Sequence, residues 1–352
     1  MLTRYNRLGV QGVIGIDFGS HSIKAVALTK KQGVLVVEGA IEICLKKDFV
    51  IDGRLQEIDE ITTILKKVKR LFPASFKYVA IAVSGSDVIT KTMVINNSLS
   101  EQELLSRVEM EAENTIPFPL DEIFIDFEVI GVNLDDPSCN DILVSAARKE
   151  CVLSQVQCVD QSGLKTVIVD VATHALARAV GLFIDSESYH RGVAILDIGA
   201  SQMTLSILYK GNLLFTRSKN HGCAVCNKML SETYGLSMAE AEKIKTEGRF
   251  TSDCIANVIS PFINMTINHL RFELRMFTNS QHHLSIHKLL LTGGGALMEE
   301  LVTQLTSILD LDVDIANPSH CFQFKNQQDK KIFAANAPQY MLAIGLALRG
   351  CL

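Results

Sequence analysis

The sequence predicts an α/β protein of two related lobes, with a smaller block of mixed α and β structure inserted in the first. Three observations predict it. An apolar strand ending in Asp, a tight turn of Gly and small residues, and a second strand occur twice, at Val13–Leu28 and Val193–Ile207, about 180 residues apart. The first copy continues as strand, strand, helix, strand, the opening of a layered α/β domain. Over about 88–165 the pattern changes to strands and short helices of a different order.

Each element has its local reason. Residues 13–28 and 33–45 alternate as strands around the turn Lys30-Lys31-Gln32-Gly33. Ile58, Ile61, Ile64, Leu65 and Val68 recur at helical spacing within Leu55–Phe72, and Pro73 stops that helix. Tyr78–Ser84 is a short apolar strand, and Val88–Ile95 opens the inserted block. Ser100-Glu-Gln-Glu103 is a capping box for a helix to about Asn114, ended by Ile116-Pro117-Phe118-Pro119. Strands at Glu122–Val132 and Asp141–Arg148, a helix at Glu150–Ser162 and a strand at Thr166–Val169 follow. Ala172–Phe183 reads as a helix returning to the first lobe.

In the second lobe a hairpin runs through Lys210-Gly211-Asn212 to Arg217. Helices are expected from Ala224, from the capping box Ser237-Met-Ala-Glu240, and over Ile255–Thr278. Lys288–Leu291 is a buried strand, Thr292-Gly293-Gly294-Gly295 a sharp turn, and a helix opens at Ala296. A last apolar helix spans Pro338–Arg349. The expected divisions are 1–87 (first lobe), 88–165 (inserted subdomain), 166–190 (first lobe and connector helix), 191–335 (second lobe) and 336–352 (helix returning to the first lobe).

Composition narrows the function. The chain has 352 residues, 47% hydrophobic and 21% charged, with a net charge of −5. That is room for two cores, and too little basic charge for nucleic acid as main partner. Lys66-Lys67-Val-Lys69-Arg70 reads as the polar C-terminal end of a helix. The nine cysteines show no framework, which suits reduced thiols in a cytoplasm. No apolar run approaches the roughly 18–20 residues that span a bilayer. Met1–Gln11, mildly amphipathic through Leu2, Tyr5 and Leu8, reads as a loose or docked tail.

The chemistry concentrates in four places. Asp17 and Asp197 each end a strand, where a carboxylate can hold a hydrated metal ion. Gly19, Ser20 and His21, then Gly199, Ala200 and Ser201, form turns whose backbone N–H groups can approach a phosphate. Lys24 on the returning strand can meet a phosphate as a point charge. Gly293, Gly294, Gly295 and Ala296 let a flat ring lie against backbone. Glu242 and Lys245, three apart on one helix face, can bond ribose hydroxyls.

Together and in this order, these four elements resemble the nucleotide-binding fold of actin, Hsp70 and hexokinase, with duplicated RNase-H-like lobes. The resemblance implies phosphate contacts from Asp17, Gly19, Ser20, His21, Ser22, Lys24, Gly199, Ala200 and Ser201. It implies adenosine contacts from Gly222, Glu242, Lys245, Gly293, Gly294, Gly295 and Ala296, and Mg²⁺ held by Asp17 and Asp197 through water. Ala172–Gly181 and Met341–Ala347 match its two interdomain connectors. The placement of the inserted block resembles FtsA and the PilM family. Glu109–Glu122 with Ile125-Asp126-Phe127, Ile14–Lys24, and Val169-Asp170-Val171 leading to Ala175–Ala179 are similar to the PilM signature.

That resemblance implies a cytoplasmic ATP-binding component of the type IV pilus platform, peripheral at the inner membrane and associated with it indirectly. Its implied partner is the cytoplasmic N-terminal peptide of PilN, in a groove between the first lobe and the insert, alongside other components of the pilus machine. Ala200, Ala172 and Cys223 depart from the family pattern, and they leave hydrolysis open where nucleotide binding is expected. An FtsA-like filament protein, a small-molecule kinase and a nucleotide-free scaffold are the rival readings. Cys223-Ala-Val-Cys226 is set aside as a metal or redox pair, and His282, His283 and His287 as a polar link. Pro117-Phe118-Pro119 reads equally as a partner groove or as a helix stop.

Overall fold

The computed structural model describes residues 12–46, 49–133, 135–280 and 284–351. The readings on the N-terminal tail and on His282 and His283 lie outside them.

Strands β1 (Gly12–Phe18), β2 (Ser22–Lys31) and β3 (Val34–Cys44) form an antiparallel meander. A small hairpin, β4 (Val50–Ile51) and β5 (Arg54–Leu55), precedes helix α1 (Ile58–Leu71) and strand β6 (Tyr78–Val83). The insert contributes β7 (Val88–Asn96), α2 (Glu101–Thr115), β8 (Ile123–Val132) and β9 (Cys139–Arg148). Its sheet runs β7-β9-β8, and α2 packs Val108 and Ala112 onto it in a core of its own. The Ser100–Glu103 capping box is present.

Helix α3 (Lys149–Gln161), which the expected division groups with 88–165, places Cys158 and Val159 in the first lobe's core beside Ile61, Leu65 and Val68 of α1. Strand β10 (Lys165–Val171) then completes the first sheet, and α4 (Ala172–Val180) follows, shorter than expected because the chain turns at Gly181.

After the short α5 (Ser186–His190), the second lobe repeats the plan. It has β11 (Gly192–Ile198), β12 (Met203–Tyr209) and β13 (Asn212–Lys219), then α6 (Cys223–Tyr234), α7 (Met238–Glu247) and a three-residue α8 (Ser252–Cys254). A π-helical stretch, Ile255–Ile259, leads into α9 (Ser260–Ser280). Strand β14 (Ile286–Thr292), helix α10 (Glu299–Ile308), strand β15 (Asp312–Ile315) and helix α11 (Gln327–Arg349) complete it. The two sheet orders, β3-β2-β1-β6-β10 and β13-β12-β11-β14-β15, are the same topology, with three antiparallel strands and two parallel additions. The duplication expected from the hairpins therefore extends through both sheets.

Two further elements differ from expectation. The chain after Gly293 makes a 3₁₀ turn, Gly294–Leu297, before α10 opens at Glu299, so no helix opens at Ala296. The last helix starts at Gln327 and runs through Pro338. Proline lacks the N–H that would reach Ala334, and the side chain of Asn317 donates to that carbonyl instead (3.3 Å).

Helices α4 and α11 lie between the lobes in one shared core, Leu176, Val180, Ile344 and Ala347 meeting Val26 and Leu28 of one sheet and Val193, Ile195 and Leu290 of the other. They cross at Gly345, where a Cβ would collide with the Ala175 carbonyl. Asp170, 4% exposed, locks the crossing by pairing with Arg178 of α4 (2.8 Å) and Arg349 of α11. Among the described residues no helix is long and apolar enough to cross a membrane.

Candidate functional site

The two repeated hairpins face each other. In each, the glycine N–H donates to a carbonyl three residues on, Gly19 to Ser22 (3.1 Å) and Gly199 to Gln202 (2.9 Å). Identical turns follow from identical constraints, a strand end and a small residue that admits the return. Across the gap the Ser20 hydroxyl donates to the Ser201 hydroxyl (3.0 Å).

Behind the turns sit the aspartates. Register pairs Asp17 with Lys24 and Asp197 with Thr204. Lys24 Nζ lies 3.9 Å from Asp17, and the Thr292 hydroxyl donates to Asp197 (2.9 Å). Burial, opposed by Lys24 and aided by the charges of Asp197 and Glu42, pushes the Asp17 carboxyl up to about 6. Burial also raises Asp197, with Thr292 and Lys24 opposing. Two enclosed acids thus draw on one lysine, and the pair is short of positive charge.

Helix α6 is docked on the second turn. Its Cys223 and Ala224 N–H groups donate to the carbonyls of Gly199 (3.0 Å) and Ala200 (2.8 Å). Gly222 permits this, because a Cβ there would strike Ala200. The 293–295 turn lies against the same strand end. Gly293 has φ +78°, and a side chain on it would strike the Ile198 carbonyl and approach Asp197. Its N–H donates to the Pro338 carbonyl of α11 (2.8 Å). Gly295 clears Ile198 and Cys223, and Gly294 lies near Gln339.

On α7, Lys245 donates to Glu242 (2.6 Å), and so does Asn227 of α6. Burial works against ionisation of Glu242, but Lys245, Asn227 and, across the cleft, His21 outweigh it and hold the carboxyl below its usual range. Asn227 is 8% exposed, and its Oδ1 has no partner among the described residues.

A family model described as Type IV pilus assembly protein PilM matches residues 15–351. The chain belongs to this family. Among solved structures it is similar to the PilM–PilN type IV pilus biogenesis complex, at TM-score 0.83 and 24% identity over 97% of this chain and 99% of that one. It is also similar to the ethanolamine utilization protein EutJ of Carboxydothermus hydrogenoformans, at TM-score 0.59 and 15% identity over 96% and 89%. The cell division protein FtsA of Bacillus subtilis (strain 168) is 21% identical over 392 residues, 96% of this chain and 83% of that protein. The fold is that of the actin-like ATPases, with two related lobes.

The structure thus gathers most residues singled out in the sequence: Asp17, Lys24 and Asp197 in one place, Gly19, Ser20, His21, Gly199, Ala200 and Ser201 on the facing turns, and Gly222, Gly293 and Gly295 where backbones meet. Ser22 is fully buried and its hydroxyl donates to Glu42 (2.6 Å), so it braces β2 against β3. Ala296 points its methyl into the second lobe's core. Sequence reasoning missed Asn227, which one helical turn carries from Cys223 to Glu242, and the role of Thr292. Strand pairing of β14 with β11 sets Thr292 beside Asp197, a signal legible only once that pairing is known.

Proposed function

We propose that the cleft binds ATP with Mg²⁺ and that the chain is the nucleotide-binding component at the cytoplasmic face of a type IV pilus assembly. The observation that carries this reading is the pair of part-buried, charge-starved carboxylates behind two facing turns. Asp17 and Asp197 would hold Mg²⁺ through water, a donor set that suits an ion which keeps its waters and takes phosphate oxygens. Among the described residues no group of three or more His, Cys, Asp or Glu side chains is placed to cage a metal directly. Bound there, the ion would offset phosphate charge. The chain's own part is to present turn N–H groups, hold Lys24 against the acids, and set Glu242, Lys245 and Asn227 at the sugar.

The reading assigns no catalytic base. His174, near the start of α4, sits among Asp170, Arg178, Arg349 and Glu128, and burial pushes its imidazole down. ATP then serves as a conformational ligand that draws the lobes together, through its different affinity for their two arrangements. The partner is the cytoplasmic N-terminal peptide of PilN, seated between the first lobe and the insert. Membership of the PilM family and likeness to a PilM–PilN complex support it.

Titration calorimetry of the full chain with Mg-ATP tests the cleft. Asp17→Ala and Asp197→Ala should each weaken binding at least about tenfold, a loss of about 1.4 kcal/mol. Unchanged affinity in both variants sinks the site. Fluorescence anisotropy with a labelled PilN peptide tests the partner. ATP-dependent polymers with no peptide binding would instead favour an FtsA-like filament protein.

A further inference from the structure

The second turn does more than mirror the first. At the position equivalent to the buried Ser22 it carries Gln202, whose amide crosses to the first lobe and donates to Asp52 Oδ1 (2.8 Å). Gln202 is steadied on its own side by Asn220 (3.1 Å). Asp52 sits in the β4–β5 turn with φ +48°, beside Gly53 at +76°.

That turn is fused to another. A Cβ on Gly85, φ +80°, would strike the Asp52 carbonyl, and one on Gly53 would strike the Ser84 carbonyl. The Asp52 carboxylate also accepts from Ser86 (2.6 Å). With backbones in contact and a side-chain bond between them, 52–53 and 84–86 move as one body. The next residue, Asp87, is 2% exposed and accepts from two nitrogens of the Arg54 guanidinium, Nε and Nη2. Arg148, at the root of the insert, approaches Asp87 at 3.4 Å. Its guanidinium also lies 4.3 Å from the centre of the Phe118 ring and 3.4 Å from Glu122. A buried carboxylate shared by two arginines tolerates little displacement, because an unpaired charge there is costly.

We infer that Gln202 links the cleft to the insert: it ties the second turn to the Asp52 turn, which carries Asp87 and through it Arg148 and Phe118. This rests on the nucleotide reading above. A phosphate entering between the turns must part Ser20 from Ser201, and Gln202, next to Ser201, moves with it. The Asp52 and Gly85 turns follow as a unit, and Arg148 re-seats against Phe118 beside the groove proposed for the PilN peptide. Gln202 is here a positioning residue and touches no ligand.

The test measures the affinity of the full chain for the labelled PilN peptide with and without saturating Mg-ATP. In the parent chain ATP should change peptide affinity by about fivefold or more, within the range usual for linked sites. Gln202→Ala should keep each separate affinity within about threefold and bring the ATP-linked factor to about one. Asp52→Asn retains an oxygen acceptor and suits the left-handed backbone, so it should keep at least half of that factor. A Gln202→Ala chain that binds both ligands and keeps the parent's factor overturns the inference while the nucleotide reading stands. Independent binding of the two ligands in the parent overturns it as well. A parent chain that binds no Mg-ATP removes the nucleotide reading, and the inference falls with it.

Discussion

Asp17→Asn separates what the cleft costs the fold from what it gives to binding. In the folded chain the Asp17 carboxyl is raised from 3.8 to about 6, by burial first and then by Asp197 and Glu42. At about 1.4 kcal/mol per tenfold change in proton affinity, its ionised form costs about 3 kcal/mol at pH 8. The folded state holds this proton to higher pH than the unfolded chain. Unfolding therefore releases it between pH about 4 and about 6, and stability falls as pH rises through that window.

Asparagine keeps the shape and removes the charge. It also takes from Lys24 a carboxylate 3.9 Å away, which returns part of the gain. The ligand-free variant should be more stable than the parent by about 1–2 kcal/mol at pH 8, and no more stable at pH 4. At about 2.1 cal/mol/K per residue over 352 residues, this is a rise of about 1–3 °C in Tm. Differential scanning fluorimetry at both pH values reads it, and calorimetry should show Mg-ATP affinity down at least tenfold in the same variant. A variant less stable than the parent at pH 8, or an equal gain at both pH values, would refute the electrostatic account.

Further outcomes follow from the geometry. Asp170→Ala strips the shared partner from Arg178 and Arg349 and should cost about 3–5 kcal/mol, read as a fall in Tm. Burial opposes ionisation of Asp170, but the two arginines hold its carboxyl below the usual range. Its contribution is whole above the ordinary carboxylate pKa of about 4 and is lost as pH falls below that, so Asp170→Asn should blunt the acid unfolding of the parent. Gly293→Ala sets a side chain at φ +78° against Ile198 and should cost about 1–3 kcal/mol along with ATP affinity, checked by melting and calorimetry. Gly345→Val drives a branched side chain into the Ala175 backbone and should leave little soluble protein, whereas Gly131→Ala, whose added Cβ meets open space, should express normally.

The hairpins were legible because strand alternation, a terminal Asp and a glycine turn are local signals, and their repetition made them specific. The Glu242–Lys245 pair on α7 was legible for the same reason, three apart on one helical face. The start of α11 was not. Pro338 reads as a helix boundary until Asn317 is known to satisfy the carbonyl that proline leaves free. Ser22 shows the opposite case: its place in the repeat suggests a phosphate contact, yet a pairing with β3 gives its hydroxyl to Glu42.

By itself, then, the sequence determined the duplicated lobes and their glycine turns, because each rests on short-range periodicity and on residue types whose steric needs do not depend on the rest of the chain, and the family was legible only through the resemblance of its motifs to the PilM signature. Tertiary structure alone decided which residues meet across the lobes and between the crossing helices. Asp17 and Asp197 compete for one lysine, Gln202 reaches Asp52, and Asp170 binds two helices, each between residues that the fold brings together. Burial and charge are properties of the assembled neighbourhood, and so were the raised carboxyls and the cross-lobe bond.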